Sequence, residues 1–440
     1  MNTLLIEPTD VLFFRDAIPM TAGQGKGSGC RMPFPSTLHE AFRACLLRAK
    51  GGLTKRKREL GRPRTADRSG NWSEHGHDGQ TFISTREFSS LRTIGPFPWQ
   101  PKHGVLLPVP GDAVVDPQSN EILFHQLWRD ETVPWVQSLQ NPSNYLPPCL
   151  PMAVTPPDKK GQLMGWWNLS QMRRYLSGDS ANDAGSLLPV PTSDLWLAED
   201  RIGVAIDPAT LAAKTGQLFA GSYLRPKKQT RFAIQLQIRD PLAESKGESD
   251  AISGLDWLLL GGDFRLARLW HRDSAGKPLP DCFSPLRKAP LPPAGDGPCM
   301  LKWVLATPAI FANGSLPGWC ADTSKNRREG SLPVGRVCLE LPGRAQLVSW
   351  SLAKPRAISG WDVVEGRAKP TMLAVPEGGV YYFFCENRAT AEALAEKLHW
   401  RPRSDFYGEK GCGYGLVSFS VKMHPTSPEV HMLAKELFTC

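Results

Sequence analysis

SDAISGLDWLLLGGDFRLARLW, residues 249–270, decides how this chain is read. Ser249 stands in a capping position and an apolar run reaches Leu260, which predicts a helix over 250–260. Gly261 and Gly262 then predict a turn carrying Arg265, and the alternation from Phe264 to Trp270 predicts a strand. The same order recurs near the other end. RATAEALAEKLHW, residues 388–400, predicts a helix over 389–399. In YGEKGCGYGLVSFSV, residues 407–421, a turn with Lys410, Gly411, Gly413 and Gly415 leads into a strand. Glycines at such junctions let the backbone approach something bulky and anionic. Two junctions of this kind in a basic chain point to a polymer of phosphate, RNA before others.

Working outward, LFAGSYLR (218–225) and RFAIQLQIR (231–239) read as strands, and Leu4 to Phe14 as an opening strand interrupted by Pro8. The loop AIPMTAGQGKGSGCRMPFP follows, with Gly23, Gly25, Gly27 and Gly29 around Lys26, and Arg31 near its end. Thr37 with Glu40 three residues on reads as a helix start. Leu38, Ala41, Phe42, Cys45, Leu46 and Ala49 then form one apolar face. The resulting order is strand, helix, strand, strand, helix, strand: a split-βαβ, ferredoxin-like unit. Residues from about 50 to 200 read as insertions, first polar and basic, then Pro-rich, with a short helix over 169–176. The breaker run APLPPAGDGP, 289–298, marks a linker. Beyond it LKWVLATPAIF, GRVCLELP, AQLVSWSL and GGVYYFFC read as strands of a second, less regular unit, and a short helix over 429–438 ends the chain. The fold class expected is α+β, with two ferredoxin-like domains in tandem, 1–288 and 299–440, carrying long loop insertions.

At 440 residues the chain has room for two or three cores. Its 52 Lys and Arg against 43 Asp and Glu give a net charge of +9, which fits one anionic groove as well as it fits a generic basic protein. Forty Gly and forty Pro exclude an architecture of long helices. None of the ten Cys forms a C-x-x-C pair, so they read as small buried hydrophobes of a reducing compartment, not as zinc ligands. MNTLLIEPTDVLFFRD lacks the pattern of a signal peptide, and no run approaches the ~20 apolar residues of a membrane span. The expected location is the cytoplasm, with no membrane partner.

Catalysis finds little support in the residues. The nine His form no H-E-x-x-H cluster, and His75 and His77 lie in the polar stretch HGHDG. His39 stands alone on the first helix near the glycine loop, a binding residue or a candidate acid–base group. There is no phosphate-binding G-x-x-x-x-G-K-[ST] and no carboxylate pair placed for two metals, so neither cofactor nor metal is expected. Binding features cohere better. Phe14 and Arg15 end the first strand beside the loop with Lys26 and Arg31, Arg43 follows on the helix, and Arg265 joins them if the strand ends converge. Arginines and backbone N–H groups hold phosphates while aromatic rings stack on bases. Local ion pairs, Arg15 with Asp16 and Asp263 with Arg265, are the competing reading. Lys325, Arg327 and Arg328 read as a solvated loop.

LLIEPTDVLFFRDAIPM, LLPVP, RIGVAIDPATLAAKTGQLFAGSYLR, LGGDFRLARL, TPAIF, PRAISGWDVVEGRAKP, GGVYYFFC and GYGL occur in this order. The ordered set resembles the RAMP proteins of CRISPR systems, and among them the group that supplies the third subunit of the Cmr complex, the type III-B RNA-guided effector. Asp263, Phe264 and Ala17 depart from that group's GGE-x-R and FRDG patterns. The resemblance implies two RRM-like domains and a non-catalytic subunit of antiviral defence that binds the 5′ repeat-derived tag of the CRISPR RNA. It further implies as partners a large polymerase/nuclease-like subunit, a backbone RAMP subunit and, indirectly, target RNA. Carried over by position, the tag-binding surface includes Arg15, the glycine loop with Gly23, Gly25, Lys26, Gly27 and Arg31, and the turn of Gly261, Gly262 and Arg265. Phe14, His39 and Arg43 join the RNA-binding set from the residues themselves, and Lys410, Gly411 and Gly413 match the terminal glycine motif, more as architecture than as contact. A RAMP endoribonuclease using His39, the equivalent subunit of a type III-D complex, and a module that binds only protein are the alternatives.

Overall fold

The computed structural model describes residues 2–15, 26–27, 32–49, 60–61, 65–66, 72–73, 84–85, 91–115, 122–124, 126–127, 152–153, 163–178, 187–238, 252, 254–273, 275–322, 335–362 and 367–421. The fold is a mixed one, rich in sheet and poor in helix. In chain order its main elements begin with β1 (Asn2–Pro8), α1 (Pro35–Ala49), β2 (Leu91–Gln100), β3 (Gly104–Pro108), β4 (Trp166–Asn168) and α2 (Leu169–Ser177). Then come β5 (Trp196–Ile206), β6 (Ala213–Pro226), β7 (Arg231–Ile238), β8 (Trp257–Leu260) and β9 (Arg265–Trp270). Among the described residues no helix is long and apolar enough to cross a membrane.

Seven of these strands form one sheet in the order β4-β3-β2-β7-β1-β9-β8. Every neighbouring pair is antiparallel. Leu4 and Ile6 on one face of β1 meet Leu38, Phe42 and Leu46 of α1 in a single apolar core. Leu5, on the other face, belongs to a second core that reaches into the C-terminal half. Burial on both faces explains why Leu4, Leu5 and Ile6 form an unbroken apolar run and do not alternate.

Two strand expectations change at once: the opening strand ends at Pro8 and not at Phe14, and residues 218–225 belong to a separate three-stranded sheet, not to the seven-stranded one. Three more follow. Residues 257–260 are a strand, not the end of a helix: β8 pairs residue by residue with β9, Trp257 to Arg268 through Leu260 to Arg265. The glycine turn therefore joins strand to strand. A short apolar run suits a buried helix or a strand equally, and the adjacent strand decides it. Secondly, α1 begins at Pro35, so Thr37 lies inside the first turn, its N–H on the Phe34 carbonyl at 2.9 Å, and is no cap. Thirdly, the segment read as insertions supplies β2, β3 and β4 to the sheet. Its Pro96 is accommodated at a register shift of β2 opposite Ala233 to Gln235, while Pro98 pairs in register with Phe232. The segment 287–298 runs without helix or strand.

The C-terminal half holds a six-stranded sheet, β11-β12-β13-β14-β10-β15, of β10 (Cys299–Leu305), β11 (Cys320–Asp322), β12 (Gly335–Val337), β13 (Ala345–Ser351), β14 (Val380–Cys385) and β15 (Gly415–Ser418). The helix α3 (Arg388–Leu398) starts on Asn387, whose side chain accepts the Thr390 N–H, and buries Ala391, Leu394, Ala395 and Leu398. The expected helix over 389–399 is thus present, whereas residues 429–438 lie outside the described residues. Asp112 is a polar hub inside the shared core. It accepts hydroxyls from Tyr175 of α2 and Tyr382 of β14, both at 2.7 Å, and lies 3.9 Å from the Lys302 ammonium. Burial, with this carboxylate adjacent, pushes both phenols well up.

Candidate nucleic-acid interface

The glycine turn between β8 and β9 is built against the chain's own first segment. Gly262 donates its N–H to the Phe13 carbonyl at 2.7 Å. Gly261 has φ +77, and a Cβ there would lie 2.5 Å from the same carbonyl and 3.1 Å from the Phe14 ring. Close approach thus requires glycine, and what approaches is residues 13–14. Phe14, buried, anchors this segment, and the next residue, Arg15, is exposed.

Beside the turn stands a hairpin, β5 with β6, paired from Trp196–Pro226 outward to Val204–Leu218. The two-residue strand Lys26–Gly27 runs parallel to β6 at Ala220 and Gly221. The middle of the glycine loop therefore lies along this hairpin. Gly23, Gly25 and Arg31 lie outside the described residues. At the foot of the hairpin Tyr223 packs on Phe13, ring centroids 4.8 Å apart, and donates its hydroxyl to Asp263 at 2.7 Å. The guanidinium groups of Arg201 and Arg265 lie 5.2 and 5.4 Å from the Tyr223 ring centroid.

Carboxylates match these cations. Arg265 is 3.6 Å from Asp263 and 3.9 Å from Asp10, Arg225 is 3.2 Å from Asp10, and Arg201 is 2.7 Å from Glu199. Hydrogen bonds from Arg225 and then Arg201 hold the Glu199 carboxyl down at about 2. The ion pair expected between Asp263 and Arg265 is therefore real, and it belongs to a network of three arginines and three carboxylates. Chemically, the cluster offers guanidinium edges that an incoming phosphate can take from the carboxylates, beside an aromatic ring. Farther out along the hairpin Ile202, Val204, Ile206 and Leu218 stand exposed on one face.

Arg15, Lys26, Gly27, Gly261, Gly262 and Arg265 are thus brought to one region, with Phe14 beneath. His39 and Arg43 are not. Both are buried, at 3 % and 8 % exposure. His39 has its Nδ1 3.3 Å from the Thr93 hydroxyl, and burial pulls its pKa down to about 3. Lys410 points inward, 2.6 Å from Glu40 and 4.5 Å from the Tyr407 ring centroid. Gly411, at φ +96, lies against the Thr93 and Gly95 carbonyls, and Gly413 donates to the Pro308 carbonyl at 2.8 Å. The terminal glycine motif here holds the two halves together and does not face outward.

Tyr223, Arg201, Arg225, Glu199 and Asp10 were missed as site residues. A signal for the hairpin existed: Ile202, Val204 and Ile206 alternate up to Asp207-Pro208, a turn initiator, and a second strand returns.

The model of the CRISPR-associated protein family (Cas_Cmr3) matches residues 4–420. No curated protein matches the chain significantly. Among solved structures, the chain is similar to one in the cryo-EM structure of the Type III-B Cmr-beta bound to cognate target RNA and AMPPnP, with a TM-score of 0.39 and 16 % identity. That alignment covers 90 % of this chain and 89 % of that one. It is similar also to a chain of the same assembly bound to cognate target RNA, with a TM-score of 0.38 and 15 % identity over 90 % and 89 %. A chain of the Csm3-Csm4 subcomplex of the type III-A CRISPR-Cas interference complex matches with a TM-score of 0.35 and 11 % identity over 87 % and 92 %.

Proposed function

Because the chain belongs to the Cas_Cmr3 family of CRISPR-associated proteins, we propose that it is a non-catalytic subunit of a type III-B RNA-guided effector complex. In this reading it binds the 5′ repeat-derived tag of the CRISPR RNA and bridges the large subunit to the backbone subunits. The observation that carries the reading is the meeting of Arg15, the Lys26–Gly27 strand and the Gly261–Arg265 turn around Tyr223. An arginine already stacked on an aromatic ring and shared between carboxylates can exchange those carboxylates for phosphate oxygens without reorganising. The four-strand series β2-β7-β1-β9 and β13-β14-β10-β15 support reading each half as a ferredoxin-like RAMP domain, divided at 289–298. In both, the first strand lies between the third and the fourth.

Cleavage of RNA by His39 finds no support, since a histidine buried to 3 % exposure with a pKa near 3 is neutral and out of reach. The test compares tagged and scrambled-tag CRISPR RNA in the assembled complex at fixed salt. Preference for the tag is expected, with Arg265→Glu and Arg15→Ala each weakening tagged RNA about tenfold. Equal binding of the two RNAs would sink the reading.

A further inference from the structure

A row of side chains crosses the first sheet at right angles to its strands. Trp99 of β2 pairs with Arg231 of β7, Glu7 of β1 pairs with Arg268 of β9, and Arg268 pairs with Trp257 of β8. Arg231 and Glu7 close the gap with a 3.1 Å ion pair. Pairing partners share a face, so Trp99, Arg231, Glu7, Arg268 and Trp257 line one side across five strands, about 19 Å at about 4.8 Å per strand. Trp270 sits behind the row, with the Arg268 and Arg231 guanidinium carbons 4.2 and 4.5 Å from its ring centroid. It also donates its indole N–H to Glu7 at 2.5 Å.

The two ends of this row differ. Arg231 lies between two tryptophans and is neutralised by Glu7. Arg268 is exposed, and among the described residues no carboxylate lies within ion-pair distance of it. Trp257, directly across from it, leaves 47 % of its surface in solvent at the last strand of the sheet. This face is opposite the one that α1 covers. An exposed indole next to a guanidinium held flat by a second indole has the parts that unpaired nucleotides need: a ring to stack on and a positive edge for the phosphate.

We propose that Trp257 and Arg268, backed by Trp270, form a second RNA contact. This platform takes an unpaired nucleotide by stacking and charge, without reading its sequence. It rests on the reading of this chain as an RNA-binding subunit, and it lies on the opposite face of β9 from the Arg265 cluster. A stacked aromatic row tolerates any base, because every base has a π face. The platform therefore adds affinity to whichever strand passes it, while tag preference stays with Arg265 and its neighbours.

Fluorescence anisotropy of the full-length chain with fluorescein-labelled single-stranded RNA, tagged or tag-scrambled, tests this at one fixed salt concentration. Trp257→Ala and Arg268→Ala are each expected to weaken both RNAs about tenfold and equally, leaving tag preference intact, while Trp257→Phe stays near wild type. Wild-type affinity for both RNAs in Trp257→Ala and Arg268→Ala overturns the platform, whether or not the tag is preferred. Equal binding of the two RNAs by the wild-type chain, with the platform variants still weakened, removes the tag reading and keeps the platform. Photocrosslinking with 4-thiouridine RNA covers the case in which Trp257→Ala does not fold, since it uses the unaltered chain. Adducts within residues 254–268 are expected, and an adduct map without them overturns the proposal in favour of a protein-docking face.

Discussion

At Asp112 a single carboxylate holds three partners from three elements. Its side chain is 2 % exposed and that of Lys302 is 7 % exposed. The Lys302 ammonium also lies 3.7 Å from the Tyr175 ring centroid. Such a group is worth more as a keystone than as an attractive pair, because removing it takes the carboxylate from a buried cation and two buried hydroxyls. Asp112→Ala is expected to cost about 3–5 kcal/mol in urea denaturation followed by tryptophan fluorescence. Lys302→Met added to it is expected to restore part of that loss. Gly261 is the corresponding backbone keystone. Gly261→Ala must clear the Phe13 carbonyl and hold φ +77, at about 1–3 kcal/mol. Its diagnostic sign is faster amide exchange at Gly262, whose N–H donates to that carbonyl.

Among elements, α1 and the loop that precedes β15 respond to pH in opposite directions. His39, on α1, is enclosed by Thr93 and by the charges of Glu40, Arg43, Arg92 and Lys410. With its folded pKa near 3 and an ordinary value of 6.5, its contribution is complete above pH 6.5 and is lost as pH falls toward 3. Asp405 accepts the N–H groups of Ala312 and Gly318 at 2.9 and 2.7 Å, but burial dominates and raises its pKa from 3.8 to about 7. Folding therefore takes up a proton there, and Asp405 costs stability as pH rises from about 4 to 7. The stability advantage of wild type over His39→Gln should shrink on acidification from 6.5, by up to about 1.4 kcal/mol per pH unit. The advantage over Asp405→Asn should grow over the same range, and denaturation curves at pH 5, 6 and 7 separate the two. Elements differed in how legible they were. The apolar face of α1, the span of α3 and the glycine turns were readable, because local spacing specifies them. The strand β8 was not, since WLLL fits either state until Arg265 to Trp270 pairs with it. Nor was β2, where Pro96 and Pro98 look like breakers, although a register shift admits the first and the second pairs in register with Phe232. In the candidate site Arg265 and its glycines were visible, while Arg201 and Arg225 owe their place to a hairpin whose local sign was the alternation of Ile202, Val204 and Ile206 before Asp207-Pro208.

For the whole molecule, the breaker run 289–298 reads as a boundary in composition, yet the two halves share one core. Trp400 stacks on Phe97 and Phe283 of the first half, at 6.0 and 5.8 Å, and packs edge-on with Tyr414 at 5.9 Å. Polar ties repeat the link. The Gly111 N–H donates to the Gly378 carbonyl at 2.7 Å, the Ser351 hydroxyl to the Gly111 carbonyl at 2.8 Å, and Lys410 reaches Glu40. That last pair leaves 40 % of the Glu40 side chain in solvent, so water screens it, and Lys410→Ala should cost about 1–2 kcal/mol and not the full amount of a buried pair. Burying a face of each sheet against the other makes each half incomplete without its partner. Residues 1–288 and 299–440, produced separately, are therefore expected to show molten behaviour: retained far-UV circular dichroism, lost near-UV signal and binding of a hydrophobic dye. The intact chain should instead unfold in one transition, with fluorescence and far-UV signals coinciding. Mixing the halves during refolding should restore the near-UV signal of the Trp400 cluster, because the interface that each lacks is the surface of the other. Two separable transitions in the intact chain, or a native near-UV spectrum from either half alone, would show that the linker divides independent domains and that the shared core is a docking surface.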